Sequence, residues 1–293
     1  MEGFSVLGGH LLGLYEKAMP DRIALWEKFS LAKELGFDYV EISVDETDER
    51  IARLYMTDKE QDTLLDRITS AGLRPQSLCL SAHRRFPFGS ADETVRQRAY
   101  DIMERAIRFA HRLGIRVIQL AGYDVYYEPS TPESLAAFLQ GLRDACAMAA
   151  RYQVMLAMEI MDTKLMSSIG RYMEYKKQLP SPWFTIYPDV GNLSAWQEND
   201  VFYELSLGKH EMVAIHIKET QKESEKGPGC FKRVPFGTGC VNFQGIFAYL
   251  EGLGYSGPYT MEMWHREGGD AKMQIKEAKA FIERQFYGAV RNP

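Results

Sequence analysis

Four short apolar runs each carry one residue able to ligate a metal. "VMLAMEIM" carries Glu159, "WFTIYPD" ends on Asp189, "MVAIHIKET" carries His216 and "YTMEMW" carries Glu262. An unpaired carboxylate buried in such a strand costs several kcal/mol, so each needs a compensating partner. Read singly, a strand-end glutamate is ordinarily a salt-bridged rim residue, and a lone buried histidine is ordinarily hydrogen-bonded core. Together, three carboxylates and one imidazole brought to one rim by consecutive strands form a cage for one divalent cation. Oxygen-rich ligation suits Mn²⁺ or Mg²⁺, and the histidine admits Zn²⁺, Co²⁺ or Fe²⁺; Zn²⁺ and Mn²⁺ come first.

Such a cage suits carbanion chemistry. A proton next to a ketone is too weakly acidic for a carboxylate alone. Holding the C2 carbonyl and C3 hydroxyl oxygens on one cation would stabilise the cis-enediolate left by proton loss. Two glutamates on non-adjacent strands, Glu159 and Glu262, can flank its plane, one removing the proton and the other returning it to the opposite face.

Further polar residues gather after the same strands. Strand 2 leads into Glu41, Asp45 and Glu46, and strand 3 into His83, Arg84 and Arg85. His83 reads equally as a substrate contact or a structural residue. The segment "KETQKESEKGPGCFKRVPFGTGC" offers Lys218, Lys222, Lys226, Lys232, Arg233 and several glycines for a phosphate, and loops after the last barrel strands often bind one. The competing reading is a solvated loop balanced by Glu219, Glu223 and Glu225, with Arg84 and Arg85 as a rival clamp. Tyr15, Tyr123, Tyr126, Tyr127, Trp196 and Trp264 could wall a pocket, although aromatic residues as often only pack. His10, His111 and His210 read as structural or surface residues.

The elements that must position these groups repeat one unit: an amphipathic helix, a glycine, an apolar residue and a strand. Gly36, Gly72, Gly114 and Gly254 mark the helix ends. Val95, Ala99, Ile102, Ala106, Phe109 and Leu113 form one buried stripe; Leu135, Phe138, Leu142, Ala145 and Ala149 form another. Ser90 with Glu93 and Thr57 with Glu60 predict capping boxes, and Thr131 with Pro132 predicts a third helix start. Strands are expected near 10–14, 38–44, 75–81, 116–121, 154–160, 183–188, 212–217 and 259–263. Eight strand–helix alternations predict an α/β fold, a (β/α)₈ TIM barrel, typically ~250 residues. An open doubly wound sheet is disfavoured because no G-x-G-x-x-G follows the first strand. No linker divides residues 1–293, which read as one domain with 1–9 as an N-terminal extension.

Composition narrows the function. The chain has 293 residues, 45% hydrophobic, with net charge −5, enough for a full core and without the basic stripe of a nucleic-acid binder. Four scattered cysteines without a C-x-x-C pair point to a reducing, cytoplasmic setting. No basic-then-apolar leader opens the chain, and no run approaches the ~18 apolar residues of a membrane span.

From "LGLYEKAMP" onward the sequence resembles the L-ribulose-5-phosphate (L-xylulose-5-phosphate) 3-epimerase family of bacterial ascorbate and pentose catabolism, within the xylose-isomerase-like TIM barrel superfamily. The likeness runs through "FDYVEISVDETDER", "CLSAHRRFPFGS", "RVIQLAGYDVYYE", "LAMEIMD", "YPDVGNLSAW", "AIHIKET", "VPFGTGCVNF" and "MEMW". It implies metal ligands at Glu159, Asp189, His216 and Glu262, the two glutamates acting as the acid–base pair. It further implies a cytoplasmic enzyme acting on a small sugar phosphate, a homodimer, with neither nucleic acid nor membrane as partner. Two departures stand out. Relatives acting on free ketoses have histidine where this chain has Asn192, and the family's H-x-K-D-T is His216-Ile217-Lys218-Glu219-Thr220 here. Rival activities are aldose–ketose isomerisation, as in a hexulose-6-phosphate isomerase, and C3 epimerisation of an unphosphorylated ketose. An apurinic-site endonuclease on the same barrel would need more histidines than the six present and a basic face. A binding-only barrel would have no use for both glutamates.

Overall fold

The computed structural model describes residues 7–222, 227 and 229–291. Among the described residues there are eight strands: β1 (Leu12–Tyr15), β2 (Tyr39–Val44), β3 (Arg74–Leu80), β4 (Val117–Leu120), β5 (Met155–Glu159), β6 (Phe184–Tyr187), β7 (Ile215–Ile217) and β8 (Tyr259–Met261). All ladders are parallel, in the order β6-β5-β4-β3-β2-β1-β8-β7. The gap between β6 and β7 is bridged by Ile186 with Met212 and Asp189 with His216, leaving a nearly closed (β/α)₈ barrel. Each expected strand is found, within a few residues at its ends.

Parallel strands buried on both faces need helices outside, and the sequence supplies them. The helix Glu93–Leu113 buries Ala99, Ile102, Ala106, Phe109 and Leu113 and stops at Gly114, whose φ of 74° is a left-handed cap. The helix Pro132–Tyr152 is capped by Thr131 as expected, and Thr57 with Glu60 forms its box. The box expected at Ser90 does not form. Asp92 is the cap and accepts from Thr94 N, while Ser90 Oγ accepts from Asp92 N. The nearer carboxylate wins because it satisfies a helix N–H at lower loop cost.

The large apolar core lies between sheet and helices, and a small second cluster of Val117, Ala157, Tyr187 and Ala214 sits on the opposite strand faces. Those faces line the barrel interior, and period-2 alternation continues them into polar residues toward the carboxyl rim. Gly13 makes room there. A Cβ at this position would lie 2.1 Å from the Tyr39 ring, so only glycine lets that tyrosine lie across the barrel.

Candidate active site

The rim collects the four residues singled out above. One potential ligand atom each from Glu159, Asp189, His216 and Glu262 lies within 4.8 Å of the other three, and all four residues are buried. His216 Nδ1 is 3.4 Å from Glu159 Oε1, 3.3 Å from Glu262 Oε2 and 4.0 Å from Asp189 Oδ2. Local folding aims these groups. Glu159 ends β5, and His216 is fixed in β7 beside Thr260 of β8. Asp189 caps the helix Val190–Ala195 with Oδ1 on Asn192 N at 2.9 Å, which turns Oδ2 inward.

Lys218 joins them from the same face of the β7 segment. Its Nζ is 2.6 Å from Asp189 Oδ2 and 3.2 Å from Glu262 Oε2. Even so, Asp189 Oδ2, Glu262 Oε2 and His216 Nδ1 are buried without a hydrogen bond of good geometry. Three buried carboxylates sharing one ammonium and one imidazole converge on one point, and this set of hard oxygens with one imidazole fits a divalent cation.

Burial and the crowding of like charges displace the proton affinities of these groups. Burial raises the Glu159 carboxyl above its usual range, with the Glu262 charge adding to it and His216 opposing. Burial lifts Asp189 to about 7 against the pull of Lys218. Burial also penalises the His216 cation, yet the Glu41 and Glu262 carboxylates override it and raise the imidazole well above its usual value. Glu262 goes the other way: Lys218 and His216 outweigh its burial and hold it low.

The cleft above the quartet is lined by Glu159, Glu262, Asn192, Lys218, Tyr15 and Trp264, with Lys17, Arg84 and Lys232 as its other cations. Asn192 is buried, with Nδ2 donating to Ile160 O at 2.7 Å and Oδ1 without a partner among the described residues. Arg84 lies over the Tyr126 ring, 4.9 Å from its centroid, and Lys232 Nζ is 3.1 Å from Asp162.

Other expected contacts fall elsewhere. His83 does not line the cleft: it is buried against Phe88, Nε2 lies 3.1 Å from Ala99 O, and burial lowers its pKa to about 4. Its strand-end position suggested the rim, but the short helical turn Ala82–Arg84 points its ring into the core. Lys222 is exposed, outside the residues lining the cleft. Arg233 is exposed too and lines a neighbouring cavity that reaches Lys218 and Glu262. Lys226 lies outside the described residues. Glu219, the departure from the family pattern, accepts from the backbone N–H of Gly237, Val241 and Thr220, and so ties the long loop down.

Sequence reasoning gave no role to Glu41. It is fully buried, and its Oε1 is 2.7 Å from His216 Nε2. The signal was the inward alternation Tyr39-Glu41-Ser43 along β2.

A nearly closed parallel barrel with a buried acidic and histidine group able to hold a metal at its carboxyl rim defines a class, and comparison agrees: residues 29–285 match the family described as xylose isomerase-like TIM barrel. Protein SgbU of Escherichia coli (strain K12) is 51% identical over 280 residues, 96% of this chain and 98% of that one. L-ribulose-5-phosphate 3-epimerase UlaE of the same strain is 49% identical over 275 residues, 94% of each. The chain belongs to the L-ribulose-5-phosphate 3-epimerase family, whose members are isomerase-class enzymes. The fold extends further, to D-allulose 3-epimerase from Methylomonas sp., with a TM-score of 0.75 at 18% identity over 95% of this chain and 98% of that one.

Proposed function

We propose that the protein is a metal-dependent 3-epimerase of a ketopentose 5-phosphate, interconverting L-ribulose 5-phosphate and L-xylulose 5-phosphate. The observation that carries the metal and acid–base reading is the convergence of three buried carboxylates and one buried imidazole in the Glu159, Asp189, His216 and Glu262 set. Family membership supports the substrate class. These four residues would hold one divalent cation, which when bound supplies positive charge toward the oxygens of a ketose and so lowers the cost of removing a proton beside the carbonyl.

Glu159 and Glu262 are the proton carriers. They stand on β5 and after β8, on either side of His216, and both line the cleft. One abstracts the C3 proton while the other delivers a proton to the opposite face, inverting C3 without change at C1 or C2. Lys218 keeps Glu262 in the anionic form a base requires. Asn192 Oδ1, buried and lacking a donor, would accept a substrate hydroxyl. The phosphate would lie toward Lys17, Arg84 and Lys232, the cations lining this cleft, rather than Lys222. Four free cysteines agree with a reducing cytoplasmic setting.

Turnover in D₂O followed by proton NMR tests this reading. Deuterium entering only at C3 of L-ribulose 5-phosphate is the expected result. Deuterium at C1 would instead establish aldose–ketose isomerisation.

A further inference from the structure

Glu41 lies behind the quartet, deep in the barrel, and is fully buried. Its Oε2 accepts from Ser77 Oγ at 2.6 Å and from Tyr187 OH at 3.0 Å, and its Oε1 is 2.7 Å from His216 Nε2. Tyr187 OH is also 2.6 Å from Thr260 Oγ1, which is 2.6 Å from Tyr39 OH. Residues of β3, β6 and β7 thus meet at one carboxylate of β2, and Thr260 of β8 joins through Tyr187.

We infer that Glu41 is a positioning residue that holds His216 in the single tautomer able to bind a cation. A carboxylate accepts only, and each hydroxyl has one proton to give. Tyr187 and Ser77 each give their proton to Glu41, so Thr260 gives its own to Tyr187, while Tyr39 OH lies within reach of both Thr260 Oγ1 and the Tyr259 carbonyl, 3.0 Å away. The remaining contact requires His216 to carry hydrogen on Nε2. Loss of the second proton that the carboxylates favour on the ring then leaves the lone pair on Nδ1, the atom facing Glu159, Glu262 and Asp189. The carboxylate behind the ring also makes the imidazole a stronger donor. Glu41 is itself 175 residues distant in sequence from the histidine it orients, so the barrel must close before the ligand is set.

This inference rests on the cation site proposed above, and its test separates the two. Metal-free protein is titrated with Mn²⁺, free Mn²⁺ being read by electron paramagnetic resonance. Glu41→Gln is expected to weaken binding by about 10–100-fold. Tyr187→Phe, which keeps the shape but removes one donor to Glu41, is expected to weaken it by about threefold, the equivalent of a weak hydrogen bond. If Glu41→Gln does not fold, Tyr187→Phe alone decides. A residue acting only in packing would lower the unfolding midpoint and leave the Mn²⁺ Kd of the folded protein unchanged. Wild-type binding matched within twofold by every folded variant overturns the role of Glu41 and leaves the cation site standing. Wild-type protein that takes up no Mn²⁺ overturns both.

Discussion

Two buried charge clusters lie in this barrel, and they are built in opposite ways. Below the loop after β1, Glu16 is fully buried, yet Lys28 Nζ at 3.2 Å, Arg50 Nη1 at 2.7 Å, Arg53 Nη1 at 2.7 Å and Ser43 N at 2.8 Å surround it. Burial alone would raise its pKa; Arg53, Lys28 and Arg50 prevail and bring it down to about 2. At the rim, three carboxylates face one imidazole and one lysine, and burial pushes Asp189 up to about 7 against the pull of Lys218. The chain completes the first cluster from its own residues. The second is short of positive charge, and a site short of charge is one that binds something.

The largest expected effect breaks the second cluster. Glu159→Gln or Glu262→Gln should lower kcat on L-ribulose 5-phosphate by about 10³-fold or more, since each removes a proton carrier and a ligand. Circular dichroism should show the fold retained. Breaking the first cluster should do the reverse. Glu16→Gln leaves the buried Lys28 and Arg50 and the half-buried Arg53 facing a neutral amide, so urea unfolding should show a loss of about 3–5 kcal/mol, with kcat/KM of the folded protein changed by less than a few-fold.

The clusters can also be told apart by acid. The Glu16 pKa falls from 4.5 to about 2 on folding. Its contribution is therefore present above pH 4.5 and lost as pH falls toward 2, about 3 kcal/mol in all. Urea midpoints between these limits should show that slope in the wild type and a shallower one in Glu16→Gln. The smallest effect sharpens the boundary of the rim site: Arg84→Ala should raise KM for the phosphorylated ketose by about tenfold and leave kinetics on the free ketose unchanged.

Much of this was legible before any coordinates. A continuous apolar strand tolerates a terminal Glu159 or Glu262 only if the fold compensates it, and the helix–glycine–strand unit told which fold that was. The Glu16 cluster was not legible, because Lys28, Arg50 and Arg53 look like ordinary helix-surface cations until tertiary packing turns them inward. His83 was left between a substrate contact and a structural residue for a related reason: a strand-end histidine gives no sign of which way the turn after it will aim the ring. Glu41 was noticed but left without a role, since strand alternation shows a face and not the partner 175 residues away. Lys222 and Arg233 were picked from loop composition, and composition does not reveal that Glu219 folds that loop back, nor which of its cations reach the cleft.

Metal content is the most direct test of whether side chains 159, 189, 216 and 262 hold one ion. Protein stripped with chelator, reloaded with Mn²⁺ or Zn²⁺ and desalted should contain one ion per chain by mass spectrometry and regain activity. His216→Ala treated in parallel should retain neither. Full turnover by the stripped wild type, or an ion and activity kept by His216→Ala, would contradict the assignment.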